Sequence, residues 1–371
     1  MKIKYIRTII FFLAIILIPS FTLFGEKETV SYNENKTLAS APQFSISAWK
    51  SRRFMSATAD FLSDHFVLRE NFIKLKNSVD KLIGKNEING VFELDGKLIQ
   101  TFRDVDYKLT DKNLAAVNTL KTKSGNAKVF FMPVVTAQEK YANSLPQYLN
   151  VSSESEYVDY CKSKLSGVTL IDASNAVMKT DYAFYATDHH WTTDCAYEAY
   201  VSAAEYLGFE AKTADYFDIV DVSNSFKGTL YSSTLNESIP SDTIRAYKSK
   251  TNITFSVKDK KYDSLYFESF LEEKDKYAYF LGGNYGVCEI VNNDINYGEE
   301  LLVIKDSYAN CFLPFLAEHY SKITVIDPRY CNHTEIKNIN VSQYDDILIL
   351  FNVLGFAEEQ NFSIINFTEG C

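Results

Sequence analysis

The chain has 371 residues, enough for one large domain with appendages or for two modest domains. Its 46% hydrophobic and 15% aromatic content, with 25 Tyr and 27 Phe, fits a packed globular protein and argues against a disordered one. A formal charge of −10, with basic residues clustered only at the extreme N-terminus, argues against nucleic acid as a partner, because phosphate binding depends on Lys and Arg.

The first residues read MKIKYIRTIIFFLAIILIPSFTLFGEKE. Lys2, Lys4 and Arg7 precede an apolar run from Ile9 to about Phe24, and charge resumes at Glu26. A basic start followed by an apolar stretch directs export. The run is long for a signal peptide and lacks a small-x-small cleavage site, so residues 1–25 read as an uncleaved signal anchor in preference to a cleaved signal. Positive charge stays inside, which puts the rest of the chain outside the cytoplasm. Residues 26–45 are polar and weakly periodic, as in a stalk, and residues 46–371 are taken as one domain.

From Ser47 to Ile83 apolar residues recur every three or four positions (Phe61, Leu62, Phe66, Phe72, Ile73, Leu75, Val79, Leu82), which predicts helix. VFELDGKLIQTF predicts a hairpin that turns at Asp95-Gly96. AKVFFMPVV (127–135) predicts a buried strand ended by Pro133, and GVTLIDAS (167–174) another short strand. TTDCAYEAYVSAAEYLG predicts a helix capped by Thr192 or Thr193, with Asp194 in its first turn and Gly208 closing it. FKGTLYSST follows as a polar-aromatic loop, then a variable region to about Tyr277. The runs at 301–305, 323–326 and 346–351 are continuously apolar, the pattern of strands covered on both faces in a parallel sheet. The architecture is therefore α/β.

In such sheets ligands bind beyond the carboxyl ends of the strands. Three polar groups fall there. In LLVIKDSYAN, Ser307 follows a strand, where it is either a nucleophile or a helix cap. In TDHHW, Asp188 and His190 lie two apart and can share a side, carboxylate orienting imidazole as the base of such a serine. His189 would then point away. In LGGN, Gly283 and Asn284 can offer oxyanion donors, although the pattern is common in turns. Asp-His-His also suggests a metal cluster, with Asp172, Asp306 and Asp327 near strand ends, but the run into Trp191 and a helix disfavours it; neither metal nor cofactor is expected. His65, His319 and His333 lack a comparable acidic and aromatic setting. The six cysteines (161, 195, 288, 311, 331, 371) form no C-x-x-C pair; they read as disulfides of an exported protein or as buried apolar thiols.

TDHHWT, LGGN, LLVIKDSYAN, PFLAEHY, ITVIDPRY and the upstream DHFVLREN together resemble the DHHW family of bacterial exported proteins over about residues 45–355. That family is similar to the proteins of alginate-type O-acetylation, which carry an SGNH-hydrolase-like domain. The resemblance implies a three-layer α/β domain with a mainly parallel sheet, and a triad of Ser307 as nucleophile, His190 as base and Asp188 as its acid. Tyr308, Trp191 and Arg329 would be site neighbours, beside Gly283 and Asn284. Where such relatives have glycine before the Asp-Ser pair, this chain has Lys305. The implied activity is O-acetylation of a cell-surface polysaccharide at the cell membrane, with a multipass membrane-bound O-acyltransferase as partner supplying acetyl groups. An acetylesterase with the same triad, or a non-catalytic glycan-binding or scaffold protein, are the alternatives.

Overall fold

The computed structural model describes residues 2–366 and divides into two compact units, 1–89 with 231–238, and 90–230 with 239–371. Cys371 lies outside the described residues.

The first unit begins with α1 (Lys2–Phe24), whose stretch Tyr5–Phe24 has mean hydropathy 2.2 and is long and apolar enough to cross a bilayer. A short hairpin, β1 (Val30–Ser31) with β2 (Lys36–Thr37), precedes α2 (Ile46–Lys50), α3 (Arg53–Asp64), α4 (Arg69–Leu82) and β3 (Glu87–Ile88). The helical periodicity expected from Ser47 to Ile83 is thus cut twice. Both breaks are marked by left-handed residues, Arg52 and Leu68. The second is also tethered from outside the helices: the Asp64 carboxylate accepts from Lys36 (2.6 Å) and from the Ala39 N–H (2.9 Å).

The second unit opens with the expected hairpin, β4 (Val91–Leu94) and β5 (Lys97–Gln100). Asp95 (φ 45°) and Gly96 (φ 75°) are both left-handed, as a two-residue hairpin turn requires. Then follow α5 (Tyr107–Lys123), β6 (Lys128–Val134), α6 (Ala137–Lys140), α7 (Glu154–Lys164), β7 (Thr169–Leu170), α8 (Ser174–Lys179), α9 (Thr193–Leu207), β8 (Asp218–Phe226) and α10 (Thr229–Thr234). The chain enters the first unit at Tyr231 and returns at Ile239. The remainder is β9 (Asp242–Lys248), β10 (Ile253–Val257), β11 (Lys260–Tyr262), β12 (Val287–Asn292), β13 (Glu300–Lys305), α11 (Leu313–Leu316), β14 (Lys322–Ile326), α12 (His333–Ile336), β15 (Asp346–Asn352) and α13 (Val353–Glu358).

An eight-stranded sheet forms in the order β11-β10-β12-β14-β13-β15-β6-β7. The five strands from β14 to β7 are parallel, and β12, β10 and β11 extend one edge antiparallel. This is the mixed α/β fold with a mainly parallel sheet that the continuous apolar runs imply. Every residue of β15, and Leu301–Lys305 of β13, is buried. Each fully buried Leu, Ile or Val contributes roughly 1.5–3 kcal/mol. The continuous-run signal misses the antiparallel extension, because β10 and β11 lie in the variable region before Tyr277 and β12 alternates buried with half-buried residues. Pro133 does not end β6 but lies inside it. Strand β7 pairs only Phe130 and Phe131, leaving an open edge beside Pro133, where proline is tolerated. FKGTLYSST is not loop throughout, since α10 occupies six of its residues.

Strand β13 lies between β14 and β15, so the connection from β13 to β14 runs one way along the sheet and the next, from β14 to β15, runs back across β13. Such a switch point opens a crevice at the carboxyl ends of the strands. Ser307 stands there, two residues past β13. On the same side Thr136 follows β6, Asp327 follows β14, and Asn352 closes β15.

Candidate active site

The stretch carrying both histidines is a closed loop. Phe184 and Trp191 form an antiparallel bridge, and the Thr192 N–H donates to the Ala183 carbonyl (2.8 Å). The buried Asp242 carboxylate fastens the loop by accepting from the Ala186 and Thr187 N–H groups (2.7 and 2.8 Å) and from the Tyr182 and Thr187 hydroxyls. Helix α9 then starts as expected. Thr192 caps it by accepting from the Cys195 N–H (3.3 Å), and Gly208 (φ 81°) ends it.

At the loop tip, Asp188 Oδ1 meets His190 Nδ1 at 2.5 Å and accepts from the His190 N–H at 3.0 Å. The opposite ring nitrogen, His190 Nε2, lies 2.8 Å from Ser307 Oγ. The structure therefore joins the three residues singled out in the sequence, Asp188, His190 and Ser307, into one continuous hydrogen-bonded chain. A carboxylate at Nδ1 fixes that nitrogen as the donor and leaves the Nε2 lone pair facing the serine O–H. All three residues are buried, with Ser307 7% exposed.

The second Asp188 oxygen is held from FKGTLYSST, which the sequence marks only as a polar-aromatic loop. Oδ2 accepts from the Thr229 N–H (2.7 Å) and the Thr229 hydroxyl (2.9 Å). Burial pushes the Asp188 carboxyl up, but His190, His189 and these hydrogen bonds outweigh it and hold it well below the usual carboxylate range. Beside it, Gly228 leaves no room for a side chain: a Cβ there would meet Asp188 Oδ2 at 2.2 Å and its Cβ at 2.3 Å. Gly228→Ala should therefore displace the carboxylate, lowering stability by about 1–3 kcal/mol through overpacking and activity by on the order of 100-fold, the scale of a misplaced catalytic group. Unchanged steady-state kinetics in a folded Gly228→Ala protein would show that this carboxylate position is unimportant.

His189 does not turn away as expected. The segment is a turn, not extended, and the two imidazole rings lie 4.0 Å apart. Its Nδ1 lies 2.7 Å from the Thr229 hydroxyl. Because that hydroxyl donates to Asp188, His189 Nδ1 carries the hydrogen. Burial, with His190 alongside, pulls His189 down to about 4, so it is neutral at neutral pH.

Tyr277 is a further residue that no sequence signal marked. Its ring stacks on His190 at 3.8 Å and 13°, and its hydroxyl donates to the Ser307 carbonyl (3.2 Å). Trp191, fully buried, donates from Nε1 to the Tyr308 carbonyl (2.9 Å), clamping the histidine loop to the serine turn. That turn is held from below by Asp306, which accepts from the Tyr308 N–H (2.9 Å), the Asn352 N–H (2.8 Å) and Asn352 Nδ2 (2.6 Å). Burial raises Asp306 to about 6 against the pull of Arg329 and these N–H groups. The Tyr308 N–H is thus engaged, and its hydroxyl donates to the His189 carbonyl.

The remaining candidates gather round Lys305. Its buried ammonium donates to Asn310 Oδ1 (2.7 Å) and Asn284 Oδ1 (2.9 Å) and lies 3.4 Å from Asp327. Burial lowers Lys305, with Asp327 opposing. Arg329 forms a two-pronged pair with Asp327 (2.9 and 2.7 Å), and its charge is felt at both Asp306 and His189. Lys305 can only donate, so the Asn284 oxygen faces it and the amide NH₂ is turned the other way. Gly283 (φ 114°) occupies a left-handed turn with open space where a Cβ would point.

Asp188, His189 and His190 place ligand atoms within 4.8 Å of one another, as a metal site would. Those atoms are committed to Thr229, Ser307 and each other. Activity that survives exhaustive chelation would agree with this; loss restored by a divalent ion would assign the cluster to metal. Among the described residues all five cysteines are free thiols and four are buried, the apolar reading of the two open at the sequence level.

Nearby, the Glu154 carboxylate accepts from the Thr136 N–H and hydroxyl, both at 2.6 Å. Burial raises it to about 7. A carboxyl raised in the fold stabilises fully below its unfolded value and loses that contribution as pH rises through the folded one. Between pH 4.5 and 8 wild type should therefore lose on the order of 2–3 kcal/mol relative to Glu154→Gln. Chemical denaturation of both proteins across this range checks it; parallel pH profiles would refute it.

The family model described as DHHW protein matches residues 90–326. A DHHW family protein from Eubacterium siraeum is similar in structure, at 25% identity and TM-score 0.65, with 76% of this chain and 96% of that one covered. Bacillus cereus PatB1 is also similar: with a sulfonyl adduct the identity is 19% and the TM-score 0.59, and without it 20% and 0.60, with 75% of this chain and 99% of that one covered. No curated protein matches the chain.

Proposed function

This chain belongs to the DHHW protein family, and from that premise we propose that it is an extracytoplasmic O-acetyltransferase of a cell-surface polysaccharide. The observation that carries the reading is the 2.8 Å approach of His190 Nε2 to Ser307 Oγ, with His190 Nδ1 on Asp188. In this mechanism Ser307 Oγ attacks the acetyl carbonyl of a donor while His190 takes its proton. Asp188 stabilises the imidazolium, the tetrahedral adduct collapses, and His190 returns the proton to the departing donor oxygen. A sugar hydroxyl then attacks the acetyl-serine and loses its proton to His190, which passes it to the departing Ser307 Oγ as the adduct collapses, freeing the acetylated sugar. With the Tyr308 N–H engaged, the Asn284 NH₂ and the turn at Gly283 are the donors proposed for the oxyanion. Asp306, Tyr277, Trp191 and Thr229 act as positioning residues.

Residues 1–25 would be retained as an anchor and 26–45 would form a stalk. The domain beyond would face outward, where acetyl-CoA is absent, so a multipass membrane-bound O-acyltransferase would supply the acetyl group. The alignment of hydroxyl, imidazole and carboxylate serves an esterase equally well, with water as acceptor. Incubating the full chain with an acetyl ester and a cell-wall oligosaccharide, then following the acetyl group, separates the readings. Acetylated oligosaccharide supports the proposal, free acetate alone supports the esterase, and no turnover of ester favours a non-catalytic binding protein.

A further inference from the structure

Helix α4 carries an apolar stripe that the first unit leaves uncovered. Leu68, Phe72, Leu75, Val79 and Leu82 are spaced four and three residues apart, which aligns them along one side. They are 63%, 48%, 60%, 48% and 85% exposed. The opposite side of the same helix is occupied: Lys74 pairs with Glu237 (2.5 Å), Asn77 Nδ2 donates to the Thr234 carbonyl (2.6 Å), and Lys81 donates to the Ser238 hydroxyl (3.3 Å). The stripe is thus the face pointing away from the segment on which α4 is docked.

Two further observations say what covers it. The start of α4 is tied to the end of α1. The Val67 N–H donates to Thr22 Oγ1 (3.2 Å) in the last turn of α1. Just beyond, Ser31 (2.9 Å) and Asn33 (2.8 Å) donate to the Glu70 carboxylate, and Arg69 pairs with Glu34. The point at which α4 begins is therefore the point at which the membrane-length apolar helix ends. In addition, residues 69–85 carry Arg69, Lys74, Lys76, Lys81 and Lys85 against Glu70 and Asp80, a net +3 in a chain of −10. An apolar face bordered on one side by Arg69 and Lys76, in a segment of net positive charge next to a membrane-length helix, matches an interfacial helix on an anionic bilayer. Two heptads are too few to specify a coiled coil with a second copy.

We propose that α4 lies along the headgroup layer as a second membrane contact, its stripe set into the acyl boundary of anionic lipid. This rests on the reading of α1 as a retained anchor. The test uses the full chain in nanodiscs containing phosphatidylglycerol, with a fluorescent amino acid placed singly at 72, 75, 79 or 82, and at 81 on the docked side. Acetyl-ester turnover and intact mass are recorded for each protein. Lipids brominated in the acyl chain should quench the stripe positions at least about threefold more than position 81. Equal quenching on both sides of the helix overturns the placement. So does an unquenched label at 75, whether the stripe is then found between two copies or against a membrane protein. A mature chain lacking residues 1–25 overturns the anchor reading and this placement with it, whereas an intact chain with an unquenched stripe overturns the placement alone.

Discussion

Replacement of Ser307 by alanine is expected to lower kcat/KM on an activated acetyl ester by about 10⁴- to 10⁶-fold while leaving the fold in place. Ser307 is 7% exposed, so the change removes a single oxygen from a nearly closed position. Its hydroxyl is hydrogen-bonded to His190, which keeps Asp188 on the other nitrogen. The expected magnitude is that of losing the nucleophile of a serine–histidine pair, after which only binding and oxyanion stabilisation remain. His190→Ala should cost nearly as much, and the double variant little more, because the two act in one step. A loss of less than tenfold in folded Ser307→Ala protein would remove Ser307 from the chemistry.

Asp188→Asn is the second large effect, expected at about 10⁴-fold in kcat with little change in KM. The amide keeps nearly the same shape, yet two of its contacts reverse. The oxygen facing His190 Nδ1 can still accept, but then the NH₂ group faces the Thr229 N–H and hydroxyl, which now donate to Oδ2. If the amide flips instead, NH₂ faces His190 Nδ1, and the ring must present a lone pair there and its hydrogen to Ser307. That tautomer cannot accept the serine proton. The charged form of Asp188 is held well below the usual carboxylate range, with burial opposed by His190, His189 and the Thr229 contacts. A group depressed in the fold stabilises it above its unfolded value and loses this as pH falls through the folded one. Wild type should therefore lose stability relative to Asp188→Asn on acidification below about pH 4.

The residues proposed for the chemistry are legible in the sequence because their signals are local. TDHHW, the strand-then-serine pattern at 300–307 and the capped helix after Trp191 each need only a few neighbouring positions, and the hairpin at Asp95-Gly96 announces its own turn. What holds these groups in place was not legible, since it comes from far along the chain. Thr229 reaches Asp188 from 41 residues away, Asn352 reaches Asp306 from 46, and Asp242 reaches Thr187 from 55. Gly228 looked like any loop glycine; only the packed carboxylate next to it shows why a side chain is excluded. Tyr277 lies among many aromatic residues, and nothing in YAYF distinguishes a ring stacked on imidazole from a core ring. The helical run at 47–83 reads as one pattern because the periodicity continues across both breaks, while the tether at Asp64 comes from the polar stretch before it. Lys305 stands where the resemblance implies glycine, and its ammonium is accommodated by Asn284, Asn310 and Asp327.

In the proposed mechanism one hydroxyl, that of Ser307, becomes covalently acetylated. Rapid acid quench of the full chain during turnover of an acetyl ester, followed by peptide mass analysis, measures it directly. One added acetyl group on the peptide bearing Ser307, absent when His190 is alanine, is the predicted result. Turnover with no acetyl on that peptide, or with acetyl on another residue, would contradict it.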